Sequence, residues 1–273
     1  MATSGDVTQF TRVDALAAPR TLIDFLDLGR TVEGIQQVKG ESVMQLNLAP
    51  GHRVLDVGCG TGEEVHALAQ AVGPQGQAVG VDVSGAMIQE ARRRHAGCAL
   101  PVVFSVSDAQ HLAFADATFD GCRMERAIMY QPCPEQALAE MVRVVRPGGR
   151  VVVFDFDWGT TFIDHPDVHT TRQVIEAFSD RVPHGWIGRR LPRLCQAAGW
   201  VAITCVPHVV HIPYPVARQM LAGAVAAAQA EGQISTQALT AWWAYLETTA
   251  AAGQSYIGQV GFMVTGTKSA LAG

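Results

Sequence analysis

The segment Val54-Leu55-Asp56-Val57-Gly58-Cys59-Gly60-Thr61-Gly62 runs a buried-strand sequence into three alternating glycines, and a helical apolar period starts directly behind it. Glycine has no Cβ. The chain can therefore turn sharply there from strand to helix, and a ligand has room to lie against the backbone. Such a strand–glycine–helix unit belongs to doubly wound α/β sheets.

The same alternation repeats from Arg53 to Asp157. Strands are predicted at 53–57, 78–83, 102–106, 119–124 and 150–156, most of them Val-rich, as parallel strands covered on both faces are. The stripe Val65, Leu68, Ala69 and Val72 predicts one helix, stopped by Gly73-Pro74. Ser84 predicts the N-cap of a second, which runs out at Gly97. Leu138, Met141, Val142 and Val145 predict a third, entered at Pro134 and closed by Pro147-Gly148-Gly149. Beyond the fifth strand, 159–187 reads as irregular, with a helix around 171–178. A helix at 189–198, a strand at 201–212, helices at 216–230 and 236–251 and a strand at 256–268 follow. Two helices at 19–29 and 32–46 precede the core. The expectation is one domain over 1–273, with a helical lid at 1–48, a nucleotide-binding core at 49–158 and a substrate-side region with a helical insertion at 159–273.

The chain has 273 residues, 16 % of them charged, and a net charge of −5. Its only basic run, Arg92-Arg93-Arg94, follows Met87, Ile88 and Ala91 at helical spacing and reads as a solvated helix face, which argues against nucleic acid as a partner. Six scattered cysteines show no zinc spacing, so no metal is expected and the thiols read as free. No apolar run approaches the ~20 residues of a membrane span, and the first ten residues lack the apolar core of a secretory signal. The expected location is cytoplasmic, the expected partner a small molecule; a homodimer is compatible with the sequence.

The glycine spacing is G-x-G-x-G, followed by Glu63 and Glu64. Acids in a first helical turn suit the helix dipole but repel a pyrophosphate, which disfavours a dinucleotide. The Lys-Ser/Thr ending of a phosphate loop is absent. Asp56 adds negative charge at the strand end. This balance suits a phosphate-free, cationic nucleoside, S-adenosylmethionine. Asp82, ending the second strand, is placed to accept from ribose hydroxyls. Asp108, with Ala109 beside it, is placed to meet the adenine edge, and Met87 to cover its face. Lys39 is a candidate partner for the carboxylate of the methionine tail.

Val54–Gly62, Gly80-Val81-Asp82-Val83-Ser84, Ser107-Asp108-Ala109, Phe119-Asp120 and Arg146-Pro147-Gly148-Gly149 together resemble the ordered motif set of the class I S-adenosylmethionine-dependent methyltransferases, closest to the ubiquinone/menaquinone-methyltransferase-like subgroup. The resemblance covers about 53–158. It implies a seven-stranded sheet, mostly parallel with an antiparallel last strand. It implies cofactor contacts from Asp56, Gly58, Cys59, Gly60, Asp82, Val83, Asp108 and Ala109, with Glu125 and Arg126 beside the cofactor and S-adenosylhomocysteine as product. The chain departs from its relatives at Tyr130, where they often carry His, and at Cys133, where they often carry an acid.

Methyl transfer from a sulfonium is an in-line displacement, and needs a base only where the acceptor must lose a proton. Candidates are Tyr130, Asp157 and His184, with Asp155, His165 and His169 behind them. Aromatics outside the nucleotide core (Trp158, Trp186 and Trp243, with Phe25 from the N-terminal segment) are candidates to line an apolar acceptor pocket. The acceptor expected is a small hydrophobic metabolite of natural-product type. The competing reading is an S-adenosylmethionine-binding protein that promotes a rearrangement or cyclisation, or acts as a sensor.

Overall fold

The computed structural model describes residues 8–16 and 18–270. Its elements in chain order are α1 (Arg20–Arg30), α2 (Glu33–Gln45), β1 (Arg53–Val57), α3 (Glu63–Val72), β2 (Gln77–Asp82), α4 (Gly85–Arg94), β3 (Val102–Val106), β4 (Phe119–Glu125), α5 (Pro134–Val144), β5 (Val145–Ile163), α6 (Val168–Ser179), α7 (Leu191–Ala197), β6 (Trp200–His211), α8 (Tyr214–Ala230), α9 (Thr236–Ala251) and β7 (Ile257–Lys268). The strands form one seven-stranded sheet in the order β3-β2-β1-β4-β5-β7-β6. β1 to β5 are mutually parallel. The last strand is antiparallel, as its bonds show. Thr160 Oγ1 accepts from the Val260 N–H and Asp164 N–H donates to Tyr256, so one number rises as the other falls. Thr204 facing Thr265, and Ile212 N–H donating to Ile257, show the same reversal with β6. Strand order turns around at β1, which lies between β2 and β4. Its carboxyl end is therefore the switch-point crevice where ligands of such sheets bind.

The chain divides into two compact units. The larger comprises Gln37–Asp155, Ile187–Pro207 and Phe262–Gly273. In it α3 packs on β1 and β2, and α4 on β2 and β3, while α5 packs on β4 and α7. The predicted α3 stripe, Val65, Leu68, Ala69 and Val72, is fully buried; of the predicted α5 stripe Leu138 and Met141 are fully buried, but Val142 is half-buried and Ala137 and Val144 complete the buried face. Each buried Val, Leu or Met among them contributes roughly 1.5–3 kcal/mol relative to an exposed one. The smaller unit comprises Met1–Gln36, Phe156–Trp186 and His208–Gly261, and within its described residues α6, α8 and α9 pack on one another.

Three expectations need correction. α5 ends at Val144, before the Pro147-Gly148-Gly149 stop, and the strand starts at Val145. Gly148 has φ +77°, a Cβ on Gly149 would lie 2.4 Å from Val145 Cγ1, and the register slips between Phe119 and Gly121; the triplet forms an irregularity at the strand entry rather than a helix cap. The stretch 159–187 is not irregular throughout: β5 runs on to Ile163, and α6 follows, capped by the Asp167 carboxylate on the Thr170 N–H. Finally, Arg92-Arg93-Arg94 is not simply a solvated face. Arg92 donates twice to the Phe104 carbonyl, and Arg94 pairs with both Glu63 and Glu90.

Candidate active site

β1 hands over to α3 through the glycine loop. The N–H groups of Gly58 and Cys59 both donate to the Val81 carbonyl, at 2.7 and 2.9 Å, which ties the turn to β2. Gly58, Gly60 and Gly62 all have positive φ, at +72°, +52° and +88°. Two of the three also lack room for a side chain on the protein's own account. A Cβ on Gly58 would lie 2.5 Å from the Ala127 Cβ, and one on Gly62 would lie 2.6 Å from the Phe104 ring. At these two positions the protein's own packing already requires glycine, before any ligand is considered. Cys59 is buried, and burial pushes its thiol well above the usual range, so its contribution to the loop surface is backbone.

Asp82 closes the loop from the other side. Its Oδ2 accepts the Gly60 N–H at 3.0 Å and its Oδ1 the Ser84 N–H at 2.9 Å. One side chain thus positions the glycine loop and the start of α4, whose Ser84 Oγ caps the Met87 N–H. Val83 and Val106, at the carboxyl ends of β2 and β3, are 60 % and 56 % exposed. Apolar side chains bared at adjacent strand ends fit the flat face of a base. Met87 is 1 % exposed and belongs to the core, so it does not reach that surface. Asp108 accepts from the backbone and side chain of Gln110 and faces His111 at 3.6 Å; its carboxyl is held below the usual range by these hydrogen bonds against the opposing effect of burial. Ala109 is buried behind it.

A buried ion-pair network joins α2, α3, β1 and β4. Arg123, paired in register with Asp56 across β4 and β1, is 1 % exposed; its guanidinium lies 3.3 Å from Asp56 and hydrogen-bonds Glu125. Glu125 also receives Arg126 Nε at 3.0 Å, and Arg126 has φ +53°, a costly conformation for a side-chain-bearing residue directly after a strand. Lys39 Nζ lies 2.6 Å from Glu64 and 3.4 Å from Glu125. Burial pushes the Asp56 carboxyl up to about 7, against the pull of Arg123. Burial works to raise Glu125 as well, but Lys39, Arg126 and Arg123 hold it below its ordinary value; Lys39 does the same for Glu64. Two sequence readings change. The acids after the glycines are not bare charges repelling a phosphate, since Glu63 pairs with Arg94 and Glu64 with Lys39. Lys39 is committed to two carboxylates, whatever ligand carboxylate it also meets. Arg123 was missed; the signal was a lone guanidinium in an otherwise apolar strand stretch, Gly121-Cys122-Arg123-Met124.

The candidate bases and aromatics fall in different surroundings. Tyr130 is half-buried in the 3-10 turn Ile128–Tyr130, which the fully buried Asp155 anchors by accepting the Met129 N–H at 3.0 Å. Asp155 is thus a positioning acid within the larger unit. In the smaller unit, Trp158 N–H donates to the Gly185 carbonyl at 2.8 Å, bringing Asp157 and His184, the residues before each, into one neighbourhood. Asp157 is fully buried, and His184 is half-buried. Trp158 is core, tilted against Phe156 and edge-on to Phe178. His165 stacks on Trp242, accepts the Asp167 N–H and faces the Trp242 carbonyl, a structural role. Trp186 is 49 % exposed. Trp243 lies off the buried stripe of Leu239, Trp242 and Leu246, half-buried under the Arg218 guanidinium at 4.0 Å. Phe25 is half-buried on α1. Among the described residues, no helix is long and apolar enough to cross a membrane and no group of His, Cys, Asp or Glu is placed to hold a metal ion.

A family profile described as a methyltransferase domain matches residues 48–199. The chain is 38 % identical over 187 residues to an uncharacterized 37.1 kDa protein in a transposon of Streptomyces fradiae, covering 68 % of this chain and 54 % of that one. It is 36 % identical over 115 residues to the ubiquinone/menaquinone biosynthesis C-methyltransferase of Cupriavidus pinatubonensis, covering 42 % and 47 % respectively. The chain therefore spans about half the length of these curated relatives. Among solved structures, the YcgJ protein of Bacillus subtilis superposes with a TM-score of 0.62 at 18 % identity, over 86 % of this chain and 99 % of that one, a likeness of fold.

Proposed function

Because the chain belongs to the family of methyltransferase domains, we propose that it binds S-adenosylmethionine at the carboxyl ends of β1 and β2 and transfers its methyl group to a small hydrophobic acceptor. The observation that carries this reading is the Gly60 N–H to Asp82 Oδ2 hydrogen bond. It fixes a carboxylate at the mouth of the glycine loop, beside the exposed Val83 and Val106. The residues fit the cofactor: a carboxylate to accept from ribose hydroxyls, apolar strand ends for a base, Asp108 and the Ala109 backbone for its edge, and the buried Asp56 for an ammonium.

Bound there, the cofactor supplies an electrophilic methyl group on a sulfonium. The chain's own residues hold and align. Asp82 fixes loop and ligand together, and Asp155 sets the turn that presents Tyr130. Tyr130 is the proposed residue to take a proton from an acceptor hydroxyl, because it shares the larger unit with the cofactor residues; Asp157 and His184 are the alternatives. Phe25, Trp186 and Trp243 are proposed to line the acceptor. The relative named as a ubiquinone/menaquinone C-methyltransferase supports an aromatic, isoprenoid-like acceptor for this chain.

Calorimetry with S-adenosylhomocysteine tests the cofactor half. Wild type should bind, and Asp82→Ala should lose roughly 1–3 kcal/mol of affinity. Equal affinity would mean that the ribose contact is misassigned. A screen with methyl-labelled S-adenosylmethionine tests the acceptor half: label should pass to phenolic or quinol-like compounds, and label found only on polar or macromolecular acceptors would reject it. Binding without any label transfer would favour the rearrangement or sensor reading.

A further inference from the structure

The ion-pair network joins three carboxylates, Asp56, Glu64 and Glu125, to three cations, Lys39, Arg123 and Arg126. Its charges cancel once Asp56, whose carboxyl burial pushes up to about 7, has lost its proton. The cations are not equivalent. Arg123 is locked between paired strand positions and bridges Asp56 to Glu125. Arg126 follows Glu125 in sequence and pairs with it. Lys39 arrives from α2 and is the cation that reaches Glu64, while sharing Glu125 with both arginines. Its side chain is 12 % exposed, so solvent does little to screen it.

We propose that Lys39 is a specificity-determining residue whose charge restrains the site's preference for the cationic methyl donor over its neutral thioether product. The inference rests on the S-adenosylmethionine reading. Donor and product differ by one methyl group and one unit of positive charge, so their relative affinity reports the net charge of the site. With Lys39 in place, Glu64 and Glu125 are offset and offer the sulfonium little extra attraction. Without it the network carries one uncompensated negative charge, and the donor gains over the product. Asp82 adds the same charge in either case, and Glu63 stays neutralised by Arg94. At the effective dielectric of about 20 usual for protein sites, a unit charge about 10 Å away changes an affinity by roughly tenfold.

The experiment is calorimetry on the whole chain with S-adenosylmethionine and S-adenosylhomocysteine, for wild type, Lys39→Met and Lys39→Arg, at pH 7.0 and 8.5. The higher pH strips the proton that Asp56 still partly holds near 7, and any that the network takes up once the lysine is gone. In Lys39→Met the ratio of the product's Kd to the donor's should rise about fivefold to tenfold over wild type, and Lys39→Arg should keep the wild-type ratio. Damage to packing weakens both ligands alike and leaves the ratio unmoved. A ratio unchanged in Lys39→Met at both pH values overturns the proposal, as does an equal rise in Lys39→Arg. Lys39→Gln substitutes if the methionine variant does not fold. Wild type binding neither compound would instead reject the cofactor assignment itself.

Discussion

The residues proposed to hold the cofactor all lie in the larger unit, whereas Phe25, Asp157, Trp158, His184, Trp186 and Trp243 all lie in the smaller. The two sets are held in different ways. In the larger unit the backbone does the positioning: Gly60 and Ser84 N–H groups on Asp82, Gly58 and Cys59 on Val81, Met129 on Asp155. In the smaller unit side chains pack on side chains, ring against ring around Trp158, Trp242 and Trp243. Backbone-held sites depend on chain geometry that few residues can adopt. Packed aromatics tolerate change unless they are fully enclosed.

Trp158→Ala gives the largest expected effect. It empties an enclosed site beside Phe156 and Phe178 and should cost about 3–5 kcal/mol, read from a denaturant midpoint. A loss below about 1 kcal/mol would return Trp158 to the list of pocket-lining residues. Gly58→Ala comes next. It forces a side chain into φ +72° against Ala127 and should cost about 2–5 kcal/mol from backbone strain and overlap together. Gly253→Ala, in the smaller unit, has φ +69° but open space around its Cβ position and should cost only about 1–2 kcal/mol. Equal losses would mean that the Ala127 contact relaxes and that only φ matters.

A smaller effect separates the units by charge. Asp56 holds its proton up to about 7 in the folded protein, far above an unfolded carboxyl. Its titration therefore lowers stability as pH rises from about 4 to about 7, since the folded state binds more protons there. A ligand ammonium placed beside it lowers that pKa and expels the proton. Calorimetry of S-adenosylhomocysteine binding in buffers of different ionisation enthalpy should show a fraction of a proton released near pH 7. Asp56→Asn should abolish the release. Release that persists in the variant would assign it to another group.

The fold was largely legible in the chain. Val-rich runs and helix stripes placed β1 and β3 to the residue and β2 and β4 within one residue, because a strand covered on both faces needs continuous apolar sequence. β5 was read too short, since Thr160, Thr161 and the glycine between Trp158 and Thr160 look like a loop yet lie within the strand, where Thr160 bonds Val260 of β7. For the site, the place of Asp82 at the glycine loop was legible because it ends a strand at a fixed distance from the glycines. Lys39 as a partner of Glu64, and Arg123 as a partner of Asp56, were not: nothing local in a sequence shows which distant charges will meet. Met87 was misjudged for a related reason. It starts a helix next to the cofactor loop, and its apolar side chain fits a core as well as a base.

The smallest effect is the sharpest test of the acceptor set. Trp186 is half in solvent, and its loss removes little enclosed surface. Trp186→Ala should therefore change stability by no more than about 0.5 kcal/mol. An acceptor that stacks on the indole would lose that contact in ground and transition states alike, which raises KM and leaves kcat unchanged. Affinity for S-adenosylhomocysteine should stay at the wild-type value, because the cofactor residues belong to the other unit. A KM that does not move would remove Trp186 from the acceptor site, and a weakened cofactor would show that the division of labour between the units is incomplete.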